Sequence, residues 1–124
     1  MINYTLSFTT SDMRELIEFV TFCVQRSTHE EDFDYQCYYN VSSLRKKLQQ
    51  RVLRHSYKIP ASTRRYSVQV TPNEVDGLLK LHKLNEAFVN LMPLWSVIFQ
   101  QIVIDLDKQH DRIKRMIFHP ISPN

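Results

Sequence analysis

Eight cationic side chains between residues 35 and 73 could bind a polyanion. That segment contains no Asp or Glu, whereas residues 1–34 carry seven acidic residues against two arginines. The cations are Arg45, Lys46, Lys47, Arg51, Arg54, Lys58, Arg64 and Arg65. With Tyr57 and Tyr66 interleaved, they could grip a phosphate backbone and stack exposed bases, as sites for single-stranded nucleic acid do. The alternative is a solvated helix face that pairs with the acidic turn at 29–34 of the same or another subunit.

A more specific version of the nucleic-acid hypothesis uses the strand that follows Arg64 and Arg65. A basic lead-in, an alternating strand, a capped helix and a further helix is the element order of a ribbon-helix-helix DNA reader. Ser67 and Gln69 would then face base edges in the major groove, and the strands of two chains would have to pair. Residues 1–9 repeat the strand pattern without the arginines, which favours a plain structural unit instead.

Residues that could serve catalysis or bind a metal are few and poorly spaced. Cys23, Cys37, His29 and His55 form neither a C-x-x-C nor an H-x-x-x-H pair, so no metal site is predicted. Ser56 lies beside His55, but adjacency in sequence does not make a catalytic triad. One glycine in 124 residues excludes a glycine-rich phosphate cradle. We expect no catalytic residue and no cofactor, although an active site assembled from distant residues stays open.

An apolar stripe runs along the C-terminal third of the chain. Its members are Trp95, Ile98, Phe99, Ile102, Leu106, Ile113 and Ile117. A domain of this size could leave part of the stripe uncovered, and large uncovered apolar patches mark interfaces. Trp95, Phe99, Ile102 and Leu106 are therefore candidates for contact with a partner, and plain core packing is the alternative.

The elements that position these residues include a strand-cap-helix pattern that occurs twice, 62 residues apart. In each copy apolar residues alternate along a strand, from Ile2 to Phe8 and from Tyr66 to Val70. Thr9 and Thr71 follow as helix N-caps, and Asp12 and Glu74 three residues later complete capping boxes. The first helix is predicted to run to about Arg26. Gly77, inside the second helix, predicts close backbone packing there.

The other elements are less uniform in pattern. Alternation over 33–40 predicts a further strand, and Ser42 or Ser43 is expected to cap a third helix that ends near His55. Residues 57–65 are predicted to form a loop and 119–124 a frayed tail. Pro93 is expected to open or kink a helix that carries Leu94 to Ile117, although the β-branched residues of 96–107 also fit a strand.

Length and composition bound the class of protein. A chain of 124 residues with 43% hydrophobic residues can bury a core without disulfides. We expect a single α+β domain over 1–124 with about three strands and four helices. Two related halves, about 2–26 and 64–90, would make up its internal repeat. Two cysteines and no long apolar run predict a cytoplasmic protein without membrane contact.

The function expected from these features is that of a non-enzymatic binding module, acting as a homodimer. Its first candidate partner is nucleic acid, bound through the basic helix and loop at 45–65. The alternative is a protein-protein interaction, inhibitor or assembly module that uses the apolar C-terminal helix.

Overall fold

Two strands and five helices make up the part of the chain that the computed structural model describes, residues 3–31, 33–55 and 64–118. In chain order they are β1 (Tyr4–Phe8), α1 (Thr10–Ser27), α2 (Tyr35–Arg54), β2 (Tyr66–Val70), α3 (Pro72–Leu84), α4 (Glu86–Leu91) and α5 (Pro93–Phe118). The fold is mixed α and β, helix-rich, and forms a single small domain.

The two strands pair with each other, antiparallel, into a two-stranded ribbon. Leu6 lies opposite Val68 at its centre, and Tyr4 and Phe8 lie opposite Val70 and Tyr66 at its ends. Because side chains alternate along a strand, one face of the ribbon packs on the helices and the other carries polar residues. The buried face consists of Leu6, Phe8, Tyr66, Val68 and Val70. Two of the three predicted strands, the one ending at Phe8 and the one over 66–70, are confirmed as β1 and β2.

Both strands lead directly into helices that begin with a capping box. The Thr9 hydroxyl accepts a hydrogen bond from the Asp12 amide at 3.0 Å, and the Asp12 carboxylate accepts one from the Thr9 amide at 3.1 Å. Thr71 and Glu74 repeat the arrangement, at 3.1 and 2.8 Å. These reciprocal bonds satisfy backbone donors that the first helical turn leaves unpaired, and both predicted helix starts are confirmed.

The strand predicted over 33–40 is wrong, because these residues begin α2. Asp34 is the N-cap, and its carboxylate accepts a hydrogen bond from the Cys37 amide at 2.9 Å. Neither Ser42 nor Ser43 caps a helix, since both lie inside this one. The sequence alternation misleads because apolar residues also recur at intervals of three or four from Phe33, which is the helical spacing. The buried residues of the segment are Phe33, Cys37, Val41, Leu44 and Leu48.

The helix predicted after Thr71 ends at Leu84, inside the predicted second half of 64–90, and the C-terminal segment is helical. Asn85 separates α3 from the short α4, and its buried amide donates to the Ser27 hydroxyl at 2.9 Å and the Leu81 carbonyl at 2.8 Å. Pro93 opens α5, so the segment 96–107 is helix rather than strand. The residues predicted to form a loop at 57–63 and the tail at 119–124 lie outside the described residues.

The core lies between the ribbon and the helices, with α1 at its centre. This helix packs against α2, α3 and α5, and α5 also crosses β1. Phe19 of α1 is fully buried and meets the rings of Trp95 and Phe99 edge-on, with centroids 5.4 and 4.7 Å away. Among the described residues no helix is long and apolar enough to cross a membrane.

Candidate nucleic-acid interface

The outer face of the ribbon is polar and carries side chains from both strands. Thr5 and Ser7 of β1 are half-buried, and Ser67 and Gln69 of β2 are exposed. The Gln69 amide donates to the Thr5 hydroxyl at 2.9 Å, across the two strands. The Arg65 guanidinium donates to the Ser7 hydroxyl at 3.0 Å, so its charge lies over this face.

Two cations of the predicted basic block bind the outer edge of β2. The Lys47 ammonium donates to the Gln69 carbonyl at 2.8 Å, and the Arg51 guanidinium donates to the Ser67 carbonyl at 3.1 Å. Both side chains come from α2, which places the basic helix beside the ribbon. Backbone acceptors that a strand edge would leave to water are thus satisfied within the chain.

The outer edge of β1 is bound in a similar way by α5. The Gln109 side chain accepts a hydrogen bond from the Thr5 amide at 2.7 Å and donates one to the Thr5 carbonyl at 2.6 Å. Arg65 donates to the Ser7 carbonyl at 2.6 Å. Thr5, Ser7 and Gln109 could not be predicted as part of this site, since a bond between residues 104 positions apart leaves no local sequence signal.

Lys47 also joins the ribbon to the start of α3 through a buried carboxylate. Its ammonium lies 2.8 Å from Glu74, which also accepts a hydrogen bond from the Ser43 hydroxyl at 3.0 Å. Burial alone would raise the pKa of Glu74. The hydrogen bonds from Lys47, the Thr71 backbone and Ser43, together with the charge of Lys47, outweigh burial and lower this pKa below its ordinary value.

The remaining predicted cations differ in their surroundings. Lys46 and Arg54 are exposed on α2, whereas Arg45 is half-buried, 3.4 Å from the Thr21 hydroxyl. Arg64 is exposed, and its guanidinium carbon lies 5.4 Å from the centre of the Tyr66 ring. Lys58 lies outside the described residues.

Tyr66 is not placed to stack on a nucleic-acid base. Its side chain is buried on the inner face of the ribbon, and His55 stacks on its ring with centroids 3.9 Å apart. The other tyrosine of that hypothesis, Tyr57, lies outside the described residues. Tyr66 is therefore a core residue. The hypothesis of single-stranded nucleic-acid binding loses one of the two tyrosines that it expected to stack on bases.

The four predicted partner-interface residues lie in the hydrophobic core or against it, and not on an uncovered surface. Trp95, Phe99 and Ile102 are buried and Leu106 is half-buried. The Trp95 indole donates to the Glu15 carboxylate at 3.3 Å, which ties this part of α5 to α1. The part of the stripe from Trp95 to Leu106 therefore packs in or against the core, as the alternative interpretation expected.

The exposed apolar surface lies on other sides of α4 and α5. Near the junction of the two helices Leu91 is 77% exposed, and Leu94 and Val97 are each 62% exposed. Further along α5, Val103 and Ile104 are about half exposed and border a groove of about 500 Å³ whose opposite wall includes His82 of α3. Burial lowers the pKa of His82, whose ring packs on Phe99 at 4.4 Å.

The two thiols are poor nucleophiles in this structure. Cys23 is fully buried, and burial raises its pKa to about 12, although the nearby Arg26 opposes the rise. Burial also raises the pKa of Cys37, helped by its contact with Asp34. Since the thiolate is the reactive form, neither side chain is activated for catalysis. Within 3–31, 33–55 and 64–110, no three His, Cys, Asp or Glu side chains cluster as metal ligands would.

The site as a whole is a polar strip with Lys47 and Arg51 along the β2 edge and Arg65 over Ser7 of β1. Its hydroxyl and amide groups can donate and accept hydrogen bonds. Comparison with known proteins gives no match: no protein-family model, no curated protein and no solved structure matches the chain.

Proposed function

We propose that the chain binds double-stranded nucleic acid by laying the outer face of the ribbon into the major groove. The observation that carries this proposal is the pairing of β1 with β2 inside one chain. The ribbon-helix-helix hypothesis needed two paired strands, and one chain supplies both of them. No second copy is required to complete the reading surface.

The physical fit follows from the dimensions of duplex DNA. The major groove of B-form DNA admits a two-stranded β-ribbon, and its base edges present donors and acceptors in a distinct pattern for each base pair. Gln69 can form a bidentate pair with adenine, and Ser67 can bond to several bases. Since Tyr66 is buried, a duplex agrees better with this surface than an unpaired strand with stacked bases.

The basic block takes two roles in this proposal. Lys47 and Arg51 fix the ribbon against α2, as their bonds to the β2 edge suggest. Lys46 and Arg54 keep exposed charge that can neutralise phosphates flanking the groove, and Arg65, 45% exposed and 3.6 Å from the Asp12 carboxylate, can add to it. Phosphate contacts of this kind hold the protein in register while the ribbon reads base edges.

We also propose that the two halves of the chain are related. In this relation β1, α1 and α2 of the first half correspond to β2, α3 and α5 of the second half. In the ribbon Tyr4 lies opposite Val70. Moving Tyr4 forward and Val70 back by 62 positions gives Tyr66 and Phe8, which also lie opposite each other. The ribbon therefore has an approximate two-fold axis at its centre. The same shift carries Thr5, held by Gln109, onto Ser67, held by Arg51.

The later helices support the same relation with a spacing of 58, the difference between the first residues of α2 and α5, Tyr35 and Pro93. That spacing carries the buried residues of α2, namely Cys37, Val41 and Leu44, onto the buried residues Trp95, Phe99 and Ile102 of α5. It also carries Arg51 onto Gln109. The shorter spacing means that the second half has four fewer residues between its strand and this helix.

Binding of labelled duplex and single-stranded DNA across a salt series tests the proposal. We expect duplex binding to exceed single-strand binding and to weaken on the order of a hundredfold between ~50 and ~200 mM salt, if about four phosphates are neutralised. Reversing the exposed charges with Lys46→Glu and Arg54→Glu should weaken binding to all duplexes alike, because phosphates carry no sequence information.

The ribbon face is tested separately with Gln69→Ala. This change should cost about 1–3 kcal/mol on the preferred duplex and much less on an unrelated one, because it removes a base contact. Gln25→Ala, on the exposed side of α1, is the matched control and should bind like the wild type. Equal loss on every duplex, or no duplex binding at low salt, would contradict the proposal.

A second candidate function is protein-protein association through the junction of α4 and α5. The observation in its favour is the exposure of Leu91, Leu94 and Val97 within a few turns of each other. Sedimentation of the wild type and of Leu94→Asp distinguishes the two candidates. Concentration-dependent association that the aspartate abolishes would favour this function, and a monomer at every concentration would remove self-association as its basis.

A further inference from the structure

We infer that a single chain recognises an asymmetric, non-palindromic duplex site, in one orientation only. This inference rests on the proposed function and specifies the DNA that the ribbon reads. It replaces the homodimer expected from the sequence with a one-chain reading unit, and it draws on differences between the two strands and between the two flanking helices.

The reading surface itself is the first asymmetric feature. Across the approximate two-fold axis, Thr5 corresponds to Ser67 and Ser7 corresponds to Gln69. Gln69 offers a bidentate amide where Ser7 offers one hydroxyl, so the base preferences of the two strands differ. Arg65 precedes β2 and its guanidinium lies over Ser7 of β1, whereas the corresponding residue before β1 is the uncharged Asn3, so this cation has no counterpart across the axis.

The helices beside the ribbon are the second asymmetric feature. Positions 45–47 of α2 are Arg, Lys and Lys, and the positions 58 residues later, 103–105 of α5, are Val, Ile and Asp. Gln109 likewise replaces the cation of Arg51 at the strand edge. The flank at 45–51 therefore carries four cations and no acid, whereas the equivalent flank at 103–109 carries Lys108 against Asp105 and Asp107.

A difference of this kind fixes how the molecule sits on DNA. In a reader made of two identical chains, the two-fold symmetry of the protein is mirrored in a palindromic operator. Here the basic flank attracts phosphates on one side of the groove more strongly than the equivalent flank does on the other, where Asp105 and Asp107 oppose the charge of Lys108. A half turn about the approximate two-fold axis would exchange β1 with β2 and α2 with α5. Because the exchanged surfaces differ, the two orientations bind with different affinities.

Selection from a duplex library with a random segment of about two helical turns tests the inference with the full chain. The selected duplex is then compared with two palindromes, each built by duplicating one of its halves. We expect one chain per selected duplex, measured by sedimentation, and roughly tenfold or weaker binding to both palindromes, because each replaces preferred base pairs. A palindromic selected site, or two chains on it, would overturn the inference while leaving the proposed function intact.

A symmetrised variant gives a second, independent readout. Thr5→Ser together with Ser7→Gln makes the outward residues of β1 identical to those of β2. Binding to one of the two palindromes should then rise about tenfold relative to the asymmetric duplex, with the melting temperature checked for folding. An unchanged preference in a folded variant would overturn the inference, and absence of binding to every duplex in the wild type would overturn the proposed function as well.

Discussion

Lys47 illustrates how a side chain in a cationic stretch of sequence can act within the fold. Its ammonium is held by the Gln69 carbonyl and the Glu74 carboxylate, both at 2.8 Å. Through Glu74 it also meets the capping box that begins α3. Removing either partner would leave a desolvated polar group without its hydrogen bonds, which is more costly than losing a surface ion pair.

Glu74→Gln should lower stability by about 2 kcal/mol at pH 7, because charge-assisted bonds to Lys47 and to the cap are lost. The folded-state pKa of Glu74 lies below its ordinary value. Its stabilisation is therefore present above the unfolded-state pKa and is lost as pH falls through the folded-state pKa. The difference between wild type and variant, measured by urea unfolding, should narrow below about pH 4. A pH-independent difference would contradict this role.

Gly77 lies where α3 touches α2, and a larger residue there should destabilise the fold. A Cβ would lie 3.0 Å from a Val41 methyl, 3.2 Å from the Asn40 Cβ and 3.3 Å from the Cys37 carbonyl oxygen. Alanine would gain about 1 kcal/mol of helix propensity, but crowding costs ~1–3 kcal/mol. We expect Gly77→Ala to show a net loss of about 1 kcal/mol in urea unfolding.

Lys80→Ala, an exposed position on the same helix, is the matched control and should change the free energy of unfolding by less than ~0.5 kcal/mol. A stabilised Gly77→Ala would mean that the two backbones are not in close contact.

At the scale of elements, α2 can be tested against the strand that the alternation suggested. In a strand Tyr39 would share the buried face with Cys37, but in the helix its side chain is 62% exposed. Tyr39→Ala should therefore change stability by less than ~0.5 kcal/mol. Leu44→Ala, on the buried side, should cost ~2–5 kcal/mol in the same unfolding experiment. Comparable losses at both positions would argue against the helical register.

Local signals in the sequence predicted the elements that depend on local bonds. The capping boxes at Thr9 and Thr71 and the alternation of the two strands involve residues within three positions of each other, so their chemistry is readable directly. The strand prediction over 33–40 failed because alternating aromatic residues and apolar residues at four-residue spacing coincide there. The pairing of β1 with β2 was not readable, since no local signal says which edges meet across 62 residues.

At the scale of the whole molecule, the two halves of the chain are interlocked rather than placed side by side. Each strand of the ribbon comes from a different half, and α5 of the second half binds the edge of β1 in the first. Neither half can complete the sheet or cover its own strand alone. Folding should therefore require both halves at once.

Fragments 1–59 and 60–124 test this interdependence. Each fragment alone should lack a cooperative thermal transition in circular dichroism, because an unpaired strand and an uncovered α1 face would remain exposed. An equimolar mixture should recover helical signal and the buried environment of Trp95, read from its fluorescence. A fragment that unfolds cooperatively by itself would contradict the interlocked arrangement.

The side chains that bind the two strand edges also bear on how the protein behaves when concentrated. A ribbon with open edges is a template on which other strands can add and grow into aggregates. Gln109 occupies both backbone groups of Thr5, and Lys47 and Arg51 occupy carbonyls on the opposite edge. The same contacts that hold the ribbon in place thus prevent other strands from adding to the edges of this two-stranded sheet and growing into fibrils.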